Sequence, residues 1–255
     1  MQLLKNYKRI VIKIGASLFA SDKHKLDTAL VNKIAAQIAQ LTRQQKEVVV
    51  VSSGAIALGM SILKLKSRPE KLAYLQAAAA IGQHELMHVY KLAFKKFGLN
   101  CAQLLLTWDD FRKVRYENAK QTLDTLLKLK TVPIINENDS VATEEIKFGD
   151  NDRLSALVSI LVEADLLIIL SDVEGLLDKN KKVIRQVNRI TQDIKSLASC
   201  TNKKICVGGM VTKIEAARIA IEGGVPCVIA SGRKSNIISQ LSANPFSQGT
   251  IFLTP

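Results

Sequence analysis

Six short apolar runs punctuate the chain: RIVIKI (9–14), EVVVVS (47–52), CAQLLL (101–106), TVPII (131–135), DLLIIL (165–170) and VPCVIA (225–230). None alternates apolar with polar residues, so each reads as a strand buried on both faces. Separated by helical stretches, such strands build a parallel sheet covered on each side. The pattern predicts a doubly wound α/β fold. Helices are expected near 26–45, 69–97 and 116–130, with a small-residue loop following residue 52. Residues 140–149 and 178–190 break the rhythm and read as hairpin excursions, and GTIFLTP reads as a last strand. No repeat, low-complexity tract or Pro/Gly/Ser linker divides residues 1–255, so one compact domain is expected.

A chain of 255 residues buries a large core without staples. Its four cysteines show neither zinc-like spacing nor a disulfide framework and are assigned no chemistry. No apolar run is long enough to span a bilayer, and the N-terminus interleaves charge with its apolar residues. A soluble, cytoplasmic protein is expected. The formal charge of +13 suits either nucleic acid or a small anionic ligand. The basic clusters, such as Lys95-Lys96, Lys181-Lys182 and Arg233-Lys234, are short and scattered, so nucleic acid is not expected as the partner.

Ligands of open parallel sheets bind beyond the carboxyl ends of the strands. There the chain places Lys13-Ile14-Gly15-Ala16-Ser17, Ser52-Ser53-Gly54-Ala55, Asn136-Glu137-Asn138-Asp139 and Ser171-Asp172. Asp150-Asn151-Asp152 precedes an expected helix, and Val207-Gly208-Gly209-Met210-Val211-Thr212-Lys213 opens another. Singly, the glycines make turns, Asp150 or Asp152 caps a helix, and Lys213 is a solvated lysine. Collectively, glycine loops, carboxylates and two lysines at one edge suit phosphate binding and stabilisation of a transferring phosphoryl group. No P-loop and no protein-kinase H-R-D or D-F-G set is present, so the phosphate-binding scheme is a different one.

Two metal-binding patterns need weighing. His84-Glu85-Leu86-Met87-His88 reads H-E-x-x-H on an expected helix, the spacing of zinc hydrolases. The third histidine, His24, lies in a distant polar loop, and nothing else in the chain supports hydrolysis. An EF-hand fails because Leu154 and Ser155 stand where the calcium loop needs Asp or Asn and then Gly. No protein metal ligands are assigned.

KIGAS (13–17), SSGAIALG (52–59), AAAAIGQ (77–83), PIINENDSVATEEIKFGDNDRLSALV (133–158), LLIILSDVEGL (166–176) and GGMVTKIEAA (208–217) occur in an order that resembles the amino acid kinase family. The paired NEND and GDND segments are similar to the members that act on free L-glutamate. The resemblance implies a three-layer αβα sandwich around a mainly parallel sheet of about eight strands. It also implies an N-terminal substrate lobe of about 1–164 and a C-terminal nucleotide lobe of about 165–255. The implied reaction moves the ATP γ-phosphoryl group to the side-chain carboxylate of L-glutamate, giving L-glutamyl 5-phosphate, the first intermediate of proline biosynthesis.

On that pattern Lys13 and Lys213 contact the phosphates, while Asp152 and Asp150 position both ammonium groups. Ser53, Asp139, Asn151 and Asn136 hold the amino acid, with Asp139 the natural partner of its α-ammonium. Ser171, Asp172 and residues 207–213 carry ATP, and Mg²⁺ bridges phosphates mainly through water. Self-association into a homo-oligomer is also implied. The sequence departs from the family at Cys206-Val207, where Gly-Thr is usual, and at DKNKK after residue 177, which lacks the usual Tyr and Asp-Pro. Many members carry a C-terminal PUA-type module, and functions depending on it are expected to be absent. The alternatives are a kinase for N-acetylglutamate, aspartate or a nucleoside monophosphate, and a non-catalytic amino-acid sensor. An acidic loop suits a free ammonium, and a sensor needs no pair of phosphate-facing lysines.

Overall fold

Every apolar run becomes a strand in the structure, a computed structural model that describes residues 7–19, 27–141, 151–199 and 209–254. The first half runs β1 (Arg9–Ile14), α1 (Ala16–Phe19), α2 (Thr28–Arg43), β2 (Glu47–Ser52), α3 (Ala55–Ile62), α4 (Leu72–Lys95), β3 (Asn100–Leu106), α5 (Lys113–Lys128) and β4 (Thr131–Glu137). A single 3-10 turn, Trp108–Phe111, separates β3 from α5. The second half runs α6 (Asn151–Leu161), β5 (Leu166–Ser171), β6 (Gln186–Val187), α7 (Gln192–Ser199), α8 (Met210–Glu222), β7 (Cys227–Ser231), α9 (Ile237–Ala243) and β8 (Thr250–Phe252).

These strands form one eight-stranded sheet in the order β3-β4-β2-β1-β5-β7-β8-β6. All pairings are parallel except β7 with β8, so the sheet is the mainly parallel one the sequence predicts. Val48 to Val51 of β2 and all six residues of β5 are buried, the reason neither run needs to alternate. Successive strand residues nonetheless face opposite layers. Ile10, Ile12 and Ile14 pack with α2, α4 and α9, whereas Val11 packs with residues of α6 and α8. Lys13 is two residues beyond Val11 and so faces the α6–α8 layer.

Two expectations are corrected. The stretch following residue 52 is not a loop throughout, because Ala55–Ile62 forms α3. Gly54, at φ 103, starts that helix in a conformation other residues rarely adopt. Small residues then serve packing: a Cβ on Gly82 would lie 1.8 Å from the Ala55 carbonyl oxygen, and one on Gly59 equally close to that of Ala78. The second concerns 178–190, where only Leu177 and Val183 pair as a hairpin. Gln186–Val187 leaves that turn to extend the main sheet beside β8. The 140–149 excursion lies, beyond residue 141, outside the described residues.

The amino ends of the strands are closed by structural bonds. Asp165 accepts from the backbone N–H groups of Lys8 and Arg9, each at 2.8 Å. The Arg9 guanidinium reaches Glu47 at 2.7 Å and Asp124 at 2.9 Å. Among the described residues no helix is long and apolar enough to cross a membrane.

Candidate active site

At the carboxyl edge, β1 delivers Lys13 to the layer that holds the first turn of α6. There its ammonium pairs with one oxygen of Asp152. Lys213, one turn into α8, reaches the other oxygen at 3.2 Å, and the Thr212 hydroxyl donates to that same oxygen at 2.8 Å. Lys13 and Lys213 are each 5% exposed and Asp152 2%, so the three charges sit almost wholly out of water. Burial pushes the Asp152 carboxyl upward, but the ammonium groups of Lys13 and Lys213 and the Thr212 hydroxyl outweigh it and hold the pKa below the usual carboxylate range. Two buried ammonium groups sharing the Asp152 carboxylate form a cluster whose chemistry suits an anionic ligand.

Beside this triad lies a relay of neutral amides. Asn151, the residue before Asp152, donates through Nδ2 to the Ser52 carbonyl at 2.9 Å, the Ser53 hydroxyl at 3.1 Å and Asn136 Oδ1 at 2.8 Å. Asn136 shares the strand parity of Ile134 and therefore faces α4, where its Nδ2 donates to Gln83 Oε1 at 2.8 Å. Ser52, of the same parity as Val50, likewise meets the Tyr90 hydroxyl of α4 at 2.9 Å. Gln83 Nε2 and Asn151 Oδ1 are buried and have no hydrogen-bond partner among the described residues. A cavity of about 340 Å³ opens next to the relay, its wall including Gln83, His84, Gln103, Glu137 and Asp139. Burial raises the Asp139 carboxyl to about 6, against a smaller opposing pull from Arg68.

The expected residues fall into three groups. Lys13, Lys213 and Asp152 meet in one cluster, and Ser53, Asn136 and Asn151 in another. Asp139 lines the cavity. Ser171 is buried at the end of β5 and donates to Asp172, which is exposed. Gly209 caps α8 with no side-chain partner, and Met210, Val211 and Thr212 form the first turn. Thr212, expected on nucleotide, donates its hydroxyl to Asp152. Asp152 does not cap α6 but belongs to the ionic cluster. Asp150, Val207 and Gly208 lie outside the described residues. Gln83 was assigned no role from the sequence, although it closes the AAAAIGQ run; one glutamine on a mostly apolar helix carries no local signal.

His84 and His88 are exposed, and no group of three or more His, Cys, Asp or Glu able to hold a metal occurs among the described residues. Cys227 is packed in the core, and burial pushes its thiol upward.

The sequence model of the amino acid kinase family matches residues 8–231. Glutamate 5-kinase from Marinomonas sp. (strain MWYL1) is 49% identical over 92% of this chain and 65% of its own length. Glutamate 5-kinase from Geobacter sp. (strain M21) is 44% identical over 99% of this chain and 69% of its own. This chain therefore spans about two thirds of the length of these relatives. Among solved structures, N-acetylglutamate synthase from Neisseria gonorrhoeae superposes with a TM-score of 0.70 at 15% identity, over 97% of this chain and 62% of that one, a likeness of fold. With most of its length matched by the family model, this chain belongs to the amino acid kinase family.

Proposed function

We propose that this chain transfers the γ-phosphoryl group of ATP to the side-chain carboxylate of L-glutamate, giving L-glutamyl 5-phosphate and ADP. The observation that carries this reading is the buried triad, in which Lys13 and Lys213 converge on Asp152. The sequence relatives named above support the choice of amino acid.

The chemistry needs little beyond positioning and charge. A glutamate carboxylate oxygen forms the new bond to the γ-phosphorus, and the bond from that phosphorus to the bridging oxygen of ADP breaks. No proton has to move, so no general base is required. Lys13, on the substrate side, and Lys213, on the nucleotide side, offset the charge that accumulates on the phosphoryl oxygens. Asp152 holds both ammonium groups at fixed positions between the reactants. Lys213 begins near the N-terminus of α8, where the helix dipole and uncapped N–H groups favour phosphate. A Cβ on Gly209 would meet nothing within 4 Å, leaving room for phosphate to approach that backbone.

Ser53, Asn136, Asn151 and Asp139 hold the amino acid, Asp139 facing the α-ammonium. Ser171, Asp172 and residues 209–213 contribute the nucleotide side, so the substrate lobe spans about 1–164 and the nucleotide lobe about 165–255. Asp152 is engaged by Lys13, Lys213 and Thr212 and is poorly placed to hold a metal as well. Mg²⁺ is therefore carried by the nucleotide phosphates and water, and it supplies further charge neutralisation there.

The test is ADP release from Mg-ATP with L-glutamate, N-acetyl-L-glutamate, L-aspartate or no acceptor, with hydroxylamine trapping any acyl phosphate. Hydroxamate with L-glutamate alone is expected. Faster turnover with another acceptor, or none with any, overturns the reading.

A further inference from the structure

We propose that Gln83 is a positioning residue for amino-acid recognition, setting from α4 the orientation of the Asn136 and Asn151 amides that face the substrate. The proposal rests on the functional reading above and adds to it a residue that makes no contact with the phosphoryl clamp.

The argument starts from polarity. A carboxamide fits a hydrogen-bond site in two orientations, but backbone groups have only one. The Glu137 N–H can only donate, so the Asn136 atom 2.9 Å from it is Oδ1. That turns Nδ2 of Asn136 toward α4, and the Gln83 atom it meets at 2.8 Å is Oε1. At the other end the Ser52 carbonyl can only accept, which makes the Asn151 atom at 2.9 Å Nδ2. The same Nδ2 faces Asn136 Oδ1 at 2.8 Å. Backbone groups at both ends thus agree on a single arrangement, and among the described residues Gln83 supplies the acceptor for Asn136 Nδ2.

What Gln83 does for stability is a separate matter. Its Nε2 is buried with no partner among the described residues, and an unpaired buried donor is costly. An apolar side chain such as Met fits a helix packed this closely and removes that cost. It also strips Asn136 Nδ2 of its acceptor, so one unpaired donor replaces another and global stability stays nearly level. Asn136 then gains by shifting toward the neighbouring cavity, and Asn151 and the 137–139 segment lose their alignment with it. Gln83 is therefore retained for orientation at the site more than for stability.

The experiment compares wild type, Gln83→Met and Gln83→Glu by steady-state kinetics and thermal melting. Glu is close in shape to Gln and presents an acceptor oxygen to Asn136. For Gln83→Met the expected result is a glutamate KM raised about tenfold or more, with kcat at saturation and ATP KM within about twofold of wild type. The Tm stays level, and Gln83→Glu recovers most of the lost glutamate KM. A Gln83→Met enzyme with wild-type glutamate KM overturns the proposal. So does a loss of Tm in both variants that tracks the change in KM, the behaviour of a residue that only packs. Wild-type protein that turns over no L-glutamate would instead overturn the functional reading, and this proposal with it.

Discussion

At the Lys13 end of the site three ionised groups are pressed together out of water, whereas at the Gln83 end three neutral amides pass hydrogen bonds along a fixed direction. The first arrangement stores charge and the second stores orientation. On the proposed reading transfer between two anions is limited by repulsion, and the two ammonium groups lower the barrier itself. Holding a zwitterionic amino acid is a problem of matching donors and acceptors, and an amide relay matches them without adding charge beside the clamp. The two ends meet at consecutive residues, Asn151 in the relay and Asp152 in the triad. On the proposed reading the first turn of α6 therefore ties substrate orientation to phosphate charge.

This division makes the two ends separable by kinetics. The largest effects belong to the charged end. Lys13→Ala and Lys213→Ala are each expected to lower kcat about 10²-fold or more, the scale of losing one charge-stabilising donor. Glutamate KM should change far less, since neither ammonium belongs to the relay. Either variant retaining wild-type turnover would break the comparison at its stronger half. Asp152→Ala should in addition destabilise the fold by about 3–5 kcal/mol, because it removes a carboxylate that two buried ammonium groups share. Chemical denaturation of that variant checks it.

The charged end was largely legible in the sequence and the amide end only in part, for a physical reason. Lys13, Asp152 and Lys213 all sit next to strand or helix ends whose positions follow from apolar patterning, so one sheet edge collects them. Asn136 and Asn151 are placed by the same logic. Gln83 is 53 residues from Asn136, and it is tertiary packing, including the close approach of α3 to α4 through Gly59 and Gly82, that brings them together. Nothing local in AAAAIGQ marks that crossing. The same crossing explains why SSGAIALG reads as a loop yet folds as α3: its glycines weaken helix propensity, but Gly59 permits the packing that stabilises the helix.

Intermediate effects belong to the cavity beside the relay. Asp139 titrates near 6, because burial raises its carboxyl more than Arg68 lowers it. The ionised form, which attracts an α-ammonium, predominates above that pH and is lost as pH falls through it. Glutamate KM should therefore rise as the pH drops below about 6, approaching tenfold per pH unit if the charge is indispensable. Asp139→Asn should show a high KM at all pH values and no such inflection. A wild-type KM that is flat between pH 5 and 8 would assign the ammonium to another group.

The smallest effect is expected at the histidines, and it sharpens the boundary of the site. His84 lines the cavity wall, while His88 is exposed one turn further along α4. On a helix the pair shares a face, the feature that makes H-E-x-x-H a zinc site when a third ligand closes it. Among the described residues no such third group converges on them. His88→Ala is therefore expected to leave kcat, glutamate KM and Tm within error of wild type. Elemental analysis of the purified wild-type protein should find zinc far below one ion per chain. Stoichiometric zinc lost together with His88 would place a metal centre beside the amide relay. The cavity would then owe part of its electrostatics to that ion rather than to Asp139 alone, and the inflection in glutamate KM near pH 6 should move when the zinc is removed.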